Sequence, residues 1–224
     1  MININNSLLR NSVLLIFFLN INCWSTNVNA AKQRYVTCGT VLKLMNSDLQ
    51  VRLHSHDVKY GTGSGQQSVT GTELTEDVNS HWLVKAGTGK LCNRGEPIKC
   101  GSIIRLEHLA THKNLHSHRF ESPLSGGQEI SCYGSGDGEG DSGDHWELVC
   151  SGDKWLRDES VMLKHVETDK YLCATGRAFG RPISGQIEIA GVSSLRGSVY
   201  WKAAEGLFLH APEPELSHTV HTEL

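Results

Sequence analysis

A unit of about 60 residues recurs three times along this chain, and a repeat of that length constrains the fold more than any single motif does. The first copy carries Leu42-Lys43-Leu44, Leu53-His54-Ser55-His56, Gly65-Gln66 and His81-Trp82. The second carries Ile104-Arg105-Leu106, Leu115-His116-Ser117-His118, Gly127-Gln128 and His145-Trp146. The third carries Val161-Met162-Leu163, Leu172-Cys173-Ala174-Thr175, Gly185-Gln186 and Tyr200-Trp201. The second and third copies also share His108/His165, Thr111/Thr168 and Lys113/Lys170.

Each copy reads as four short strands. Leu42 and Leu44, Ile104 and Leu106, and Val51 and Leu53 each flank a polar residue, so apolar side chains share one face at period two. Gly and Ser clusters punctuate the runs, and no stretch carries a helical stripe. Three copies of four strands make twelve. One such unit has an apolar face and open edges. Three around an axis bury those faces together and close most edges into a barrel. The expected fold is all-β, a β-trefoil with pseudo-three-fold symmetry; propellers use about four or more blades and fit less well. Trp82, Trp146 and Trp201 are expected in the core, beside the alternating Val84 and Leu148.

The chain ends set the expected compartment. After Arg10, Val13 to Leu19 open an apolar run that reaches Ile21, and Val28 and Ala30 suit a signal-peptidase site. Asn20, Asn22 and Asn27 interrupt it short of the ~20 apolar residues a membrane anchor needs. The last four residues, His221-Thr222-Glu223-Leu224, resemble the H-D-E-L retention signal with Thr in place of Asp. The expected division is a signal peptide over 1–30, a β-trefoil over 31–211 with repeats at 36–92, 98–154 and 155–211, and a tail over 212–224. The expected location is the lumen of the endoplasmic reticulum, with the retention-signal receptor as one partner and no membrane span after cleavage. With 21 basic against 24 acidic residues, the charge gives no sign of a nucleic-acid partner.

Several segments carry a family resemblance. Leu53 to Gly61 (LHSHDVKYG), Gly65 to Gly71 (GQQSVTG), Ile98-Lys99-Cys100-Gly101, Leu124-Ser125, Gly138 to Asp141 and Gly180 to Gln186 resemble the MIR-domain family, and within it the stromal cell-derived factor 2 group. The resemblance runs from about Val36 to Phe208, together with the signal and the tail. It implies a β-trefoil adaptor of lumenal protein quality control. The implied partners are a J-domain co-chaperone, a BiP-type chaperone and unfolded clients. MIR domains also occur in protein O-mannosyltransferases and inositol trisphosphate receptors, whose membrane spans this chain lacks.

Of seven cysteines, Cys23 leaves with the signal peptide, and six in an oxidising lumen imply disulfides. Cys38 and Cys100 each precede the first strand of a repeat, and Cys92 and Cys150 each follow its Trp strand. Pairing within repeats gives Cys38–Cys92 and Cys100–Cys150. Cys132 and Cys173 are expected as buried small side chains. No C-x-x-C is present, which disfavours thiol exchange.

The His54/His56 and His116/His118 pairs share a strand face and could both reach one ion. Two ligands do not make a site, and the third copy has Cys173 and Thr175 instead, so no metal is expected. The acidic Gly-rich run from Gly134 to Asp144 fails EF-hand spacing and reads as a solvated loop. G-x-S-x-G, Walker A and H-E-x-x-H are absent, so no enzyme and no cofactor are expected. The segments after each second strand carry an aromatic among charges: Lys59-Tyr60, Arg119-Phe120, and Arg177-Ala178-Phe179-Gly180-Arg181. These seven side chains, Lys59, Tyr60, Arg119, Phe120, Arg177, Phe179 and Arg181, are the candidate partner contacts; the alternative is that the rings fold back over the barrel. A glycan-binding module, or an accessory to O-mannosylation, is the rival function. The missing Q-x-W after Gln66, Gln128 and Gln186 weighs against a ricin-type lectin.

Overall fold

The computed structural model describes residues 35–195 and 198–209. The expected signal peptide and retention tail lie outside them. The described chain is all-β, with strands β1 (Val41–Asn46), β2 (Arg52–Lys59), β3 (Gln67–Thr72), β4 (Trp82–Ala86), β5 (Ile103–His108), β6 (Lys113–Glu121), β7 (Gln128–Tyr133), β8 (Trp146–Val149), β9 (Met162–His165), β10 (Tyr171–Ala178), β11 (Ile187–Val192) and β12 (Trp201–Leu207). Among the described residues, helix is confined to single turns at Val78–Ser80 and Ser142–Asp144.

Antiparallel pairing runs β1 to β4, β4 to β5, β5 to β8 and β8 to β9. β12 pairs with β1 and meets Val161, just before β9, through Trp201, so these six strands close into a barrel. The other six form hairpins β2–β3, β6–β7 and β10–β11. β3, β7 and β11 also pair with one another in all three combinations, joining the hairpins into a triangle.

The core is what the alternation predicts. Trp82, Trp146 and Trp201 are fully buried with Leu42, Leu44, Ile104, Leu106, Leu148 and Leu163. Each indole N–H donates to the carbonyl of a leucine on a hairpin strand: Trp82 to Leu53 at 2.8 Å, and Trp146 to Leu115 and Trp201 to Leu172 at 2.9 Å. A buried indole needs such a partner. His108 and His165 lie over Trp82 and Trp146, and their Nε2–H groups donate to Asn79 O and Gly143 O, both at 2.9 Å. At the matching place on β1, Asn46 donates to Ser198 O at 2.7 Å.

The register of the hairpins corrects one anchor of the sequence reading. Gln67 Nε2 donates to Ser55 Oγ and Thr111 Oγ1, and Gln128 Nε2 donates to Ser117 Oγ and Thr168 Oγ1. Gln128 is thus the counterpart of Gln67, not of Gln66. The β6–β7 connection is one residue shorter than the β2–β3 connection, because Ser55 faces Val69 while Ser117 faces Ile130.

Both expected disulfides form, Cys38–Cys92 and Cys100–Cys150, with Cα atoms 6.0 and 5.4 Å apart. Such bonds belong to an oxidising, secretory-type compartment. Cys132 and Cys173 are free and buried. Burial pushes their thiols up, to about 12 and about 11, which makes them poor nucleophiles.

Candidate functional site

The hairpins place their loops by buried carboxylates reaching across from the neighbouring hairpin. Glu129, fully buried on β7, accepts from Ser64 N at 3.2 Å and from the Ser64 hydroxyl, holding the β2–β3 loop. Gly63 sits there with φ +68°, and a Cβ on it would lie 2.1 Å from Glu129 Oε2. Glu188, the matching residue on β11, accepts from Leu124 N at 2.8 Å, Ser125 N at 3.0 Å and Ser122 Oγ at 2.5 Å, holding the β6–β7 loop. Burial alone would raise the Glu188 pKa. The hydrogen bonds from Ser122, Leu124, Thr175 and Ser125 outweigh it and hold the carboxyl below its usual range.

The positions after Leu53, Leu115 and Leu172 then decide the shape of the surface. In the first hairpin they are His54 and His56, whose rings meet with Nε2 of His54 2.7 Å from Nδ1 of His56, while His54 Nδ1 lies 2.6 Å from Asp77. In the second they are His116, 2.9 Å from Asp144, and His118, which donates to Glu129 at 3.0 Å. These imidazoles fill their places. In the third hairpin Cys173 and Thr175 stand there, and Thr175 takes the role of His118 by donating to Glu188 at 2.8 Å. Two small side chains where the other hairpins carry rings leave an open groove of about 1030 Å³, against about 300 Å³ beside His116 and His118.

The groove is walled by Arg119, Phe120 and Ser125 to Gln128 on one side, and by Lys170, Thr175 and Arg177 on the other. Phe120 is 50% exposed and packs edge-on against His118, with ring centroids 4.9 Å apart. Arg177 donates to Leu124 O, and Lys170 to Ser193 Oγ, which braces both walls. Gln128, bonded to Thr168 Oγ1 at 2.7 Å, also lines it.

Of the seven candidate contacts, the structure therefore brings Arg119, Phe120 and Arg177 together. Lys59 and Arg181 are exposed and Phe179 is half-buried, all outside the groove. Tyr60 is a correction. It is 7% exposed, and its hydroxyl lies 2.9 Å from Ile130 O and 3.0 Å from Val69 O, so the ring caps the core and offers nothing to a partner. Burial pushes its phenol strongly upward, keeping it neutral. The three aromatics are not counterparts: Tyr60, Ser122 and Phe179 share one place, each donating its N–H to the far side of its loop, at Gln66, Gly127 and Gln186. Phe120 lies two residues earlier, on β6 itself. Reading the residues alone missed Gln128, Thr168, Lys170 and Thr175, because a groove made by missing volume leaves no motif.

The histidine pairs behave as expected of strand-end histidines bonded to nearby loops. His116 Nδ1 and the Asp141 and Asp144 carboxylates do cluster. Both carboxylates also serve as reciprocal caps of the Ser142–Asp144 turn.

The MIR-domain family profile matches residues 35–157. Stromal cell-derived factor 2 of Mus musculus is 51% identical over 201 residues, covering 90% of this chain and 94% of its own length. The crystal structure of the SDF2-like protein from Arabidopsis thaliana superposes with TM-score 0.77 at 44% identity, over 80% of this chain and 99% of that one. A protein O-mannosyltransferase complex of S. cerevisiae bound to its sugar donor matches with TM-score 0.70 at 25% identity, over 84% of this chain but 28% of that one. This chain belongs to the MIR-domain family, and within it to the stromal cell-derived factor 2 group.

Proposed function

We propose that this chain is a non-catalytic adaptor of protein quality control in the lumen of the endoplasmic reticulum. It holds a J-domain co-chaperone, acts with a BiP-type chaperone, and helps keep unfolded clients soluble. Its fold is a β-trefoil of three MIR repeats over residues 31–211, between a signal peptide and a retention tail. The closed six-stranded barrel and the triangle of hairpins support the trefoil. The observation that carries the binding role is the groove where Phe120 stands half-exposed between Arg119 and Arg177. A rigid aromatic beside arginines is the composition of an interface hot spot. The two disulfides support the compartment.

The test is co-chaperone binding by Phe120→Ala and Arg177→Ala, with thermal unfolding measured on the same samples. A central anchor costs about 2 kcal/mol or more when truncated, a rim residue under ~1. Normal binding by both folded variants would remove the groove from the proposal. A second reading, glycan binding, is favoured by the likeness to the O-mannosyltransferase complex and by the hydroxyls of Thr168, Thr175, Ser193 and Ser198 along the groove. Titration with mannose oligosaccharides separates the two.

A further inference from the structure

A second concavity, sharing no lining residue with the groove, lies beside the β4–β5 connection. That connection is pinned twice: Cys92 to Cys38, and Cys100 to Cys150. Backbone bonds from Gly87 N to Ile103 O, Gly95 N to Cys38 O and Cys38 N to Glu96 O fix it further. Yet at its tip Leu91 is fully exposed, at 101%. An apolar side chain held in water by a rigid, covalently anchored loop suits contact with something else. Under Leu91 lies a hollow of about 490 Å³ with Leu83, Val84 and Ala86 on its apolar floor.

Every charged side chain lining this hollow is a cation: Lys85, Lys90, Arg94 and Arg105. Strand register sets Lys85 directly opposite Arg105, an unfavourable pairing. The carboxylate of Glu107 is taken by Lys85 at 2.9 Å and His112 at 2.8 Å. Arg105 is only 9% exposed; its Nε donates to Ala86 O at 3.0 Å, and its Nη1 is buried with no hydrogen-bond partner among the described residues. A buried guanidinium without a counterion is costly, and a planar fork of this kind matches a carboxylate.

We propose that this hollow is a docking site for an acidic peptide segment of a partner protein. One carboxylate sits on Arg105, flanking acids meet Lys90 and Arg94, and an apolar residue packs on Leu91. The loop is preformed, so little ordering is spent on binding. The site does not rest on the adaptor reading above.

The probe is the acetylated peptide Leu-Glu-Leu-Glu-Glu, titrated calorimetrically into the full mature chain, with Leu-Gln-Leu-Gln-Gln beside it. The Glu peptide should bind at least about tenfold more tightly than the Gln peptide and weaken as salt is raised. The exposed double variant Lys90→Glu with Arg94→Glu, checked for unchanged thermal unfolding, should lose that difference. The Arg105 Nε–H resonance should shift on addition of the Glu peptide, which tests the buried group without mutating it. Equal binding of both peptides, a silent Arg105 resonance, or full binding by the double variant would overturn the proposal. Binding seen only after residues 210–224 are removed would assign the hollow to the chain's own acidic tail and overturn it as well.

Discussion

Glu188 holds the N–H of Leu124 at 2.8 Å from a fully buried position on the neighbouring hairpin. The loop so held is one wall of the groove, which makes this carboxylate a support for the surface rather than part of it. Glu188→Ala should cost about 3 kcal/mol, because it strands Ser122, Leu124, Ser125 and Thr175 without an acceptor. Chemical denaturation measures the cost. The Glu188 pKa is depressed in the fold, so its contribution is whole above the unfolded carboxyl value and is lost as pH falls through the folded one. Glu188→Gln should therefore be less sensitive to acid below about pH 4 than the parent.

His108 supplies a different pH window. Burial pushes it down to about 4, with the bond to Asn79 O only partly opposing. The unfolded histidine binds a proton near pH 6.5, so stability is whole above ~6.5 and falls as pH drops toward about 4, by up to about 3 kcal/mol. His165 is shifted the same way, burial being the main cause. Asn46 makes the equivalent carbonyl contact without titrating. His108→Asn should thus flatten the dependence of the unfolding midpoint on pH between 4 and 6.5, leaving the smaller share of His56 and His165.

The groove can be closed with the chain's own chemistry. Cys173→His with Thr175→His restores the side chains that fill the second hairpin, and the new residue at 175 can donate to Glu188 as His118 does to Glu129. The double variant should fold with a melting temperature within about 5 °C of the parent, since ~1 kcal/mol shifts it by a few degrees. Co-chaperone binding should weaken at least about tenfold. Binding at full strength in a folded double variant would exclude the groove.

Each disulfide closes a loop of 54 or 50 residues, worth about 4 kcal/mol in the chain-entropy account. Replacing Cys100 and Cys150 by Ala should lower the free energy of unfolding by about that much. Replacing Cys38 and Cys92 should do the same and also loosen the Leu91 loop, which proteolysis would report as new cleavage between Gly87 and Glu96.

The barrel was legible because its pattern is written in large side chains. Trp82, Trp146 and Trp201 follow Leu44, Leu106 and Leu163 by 38, 40 and 38 residues, and burial of an indole admits few alternatives. The disulfides followed, since equivalent cysteines flank equivalent strands. The surface was less legible. The loop between β6 and β7 is one residue short, so aligning Gly127-Gln128 with Gly65-Gln66 put Gln128 on Gln66 when it belongs with Gln67. Phe120 was set beside Tyr60 because both are aromatic, although Ser122 holds the equivalent place. Tyr60 looked like a contact because its neighbours are charged, but only the fold shows two backbone carbonyls waiting for its hydroxyl. The groove depends on Cys173 and Thr175 being small, and a sequence records what is present more plainly than what has been left out.

β12 is the last strand of the barrel and its partner is the first. Until the final stretch has been synthesised, β1 must wait with one flank bare, and the three hairpins have no closed ring to sit on. A nascent chain of this topology carries a sticky edge for nearly the whole of its translation. A protein proposed to shield others from misassociation therefore passes through that hazard itself, each time it is made.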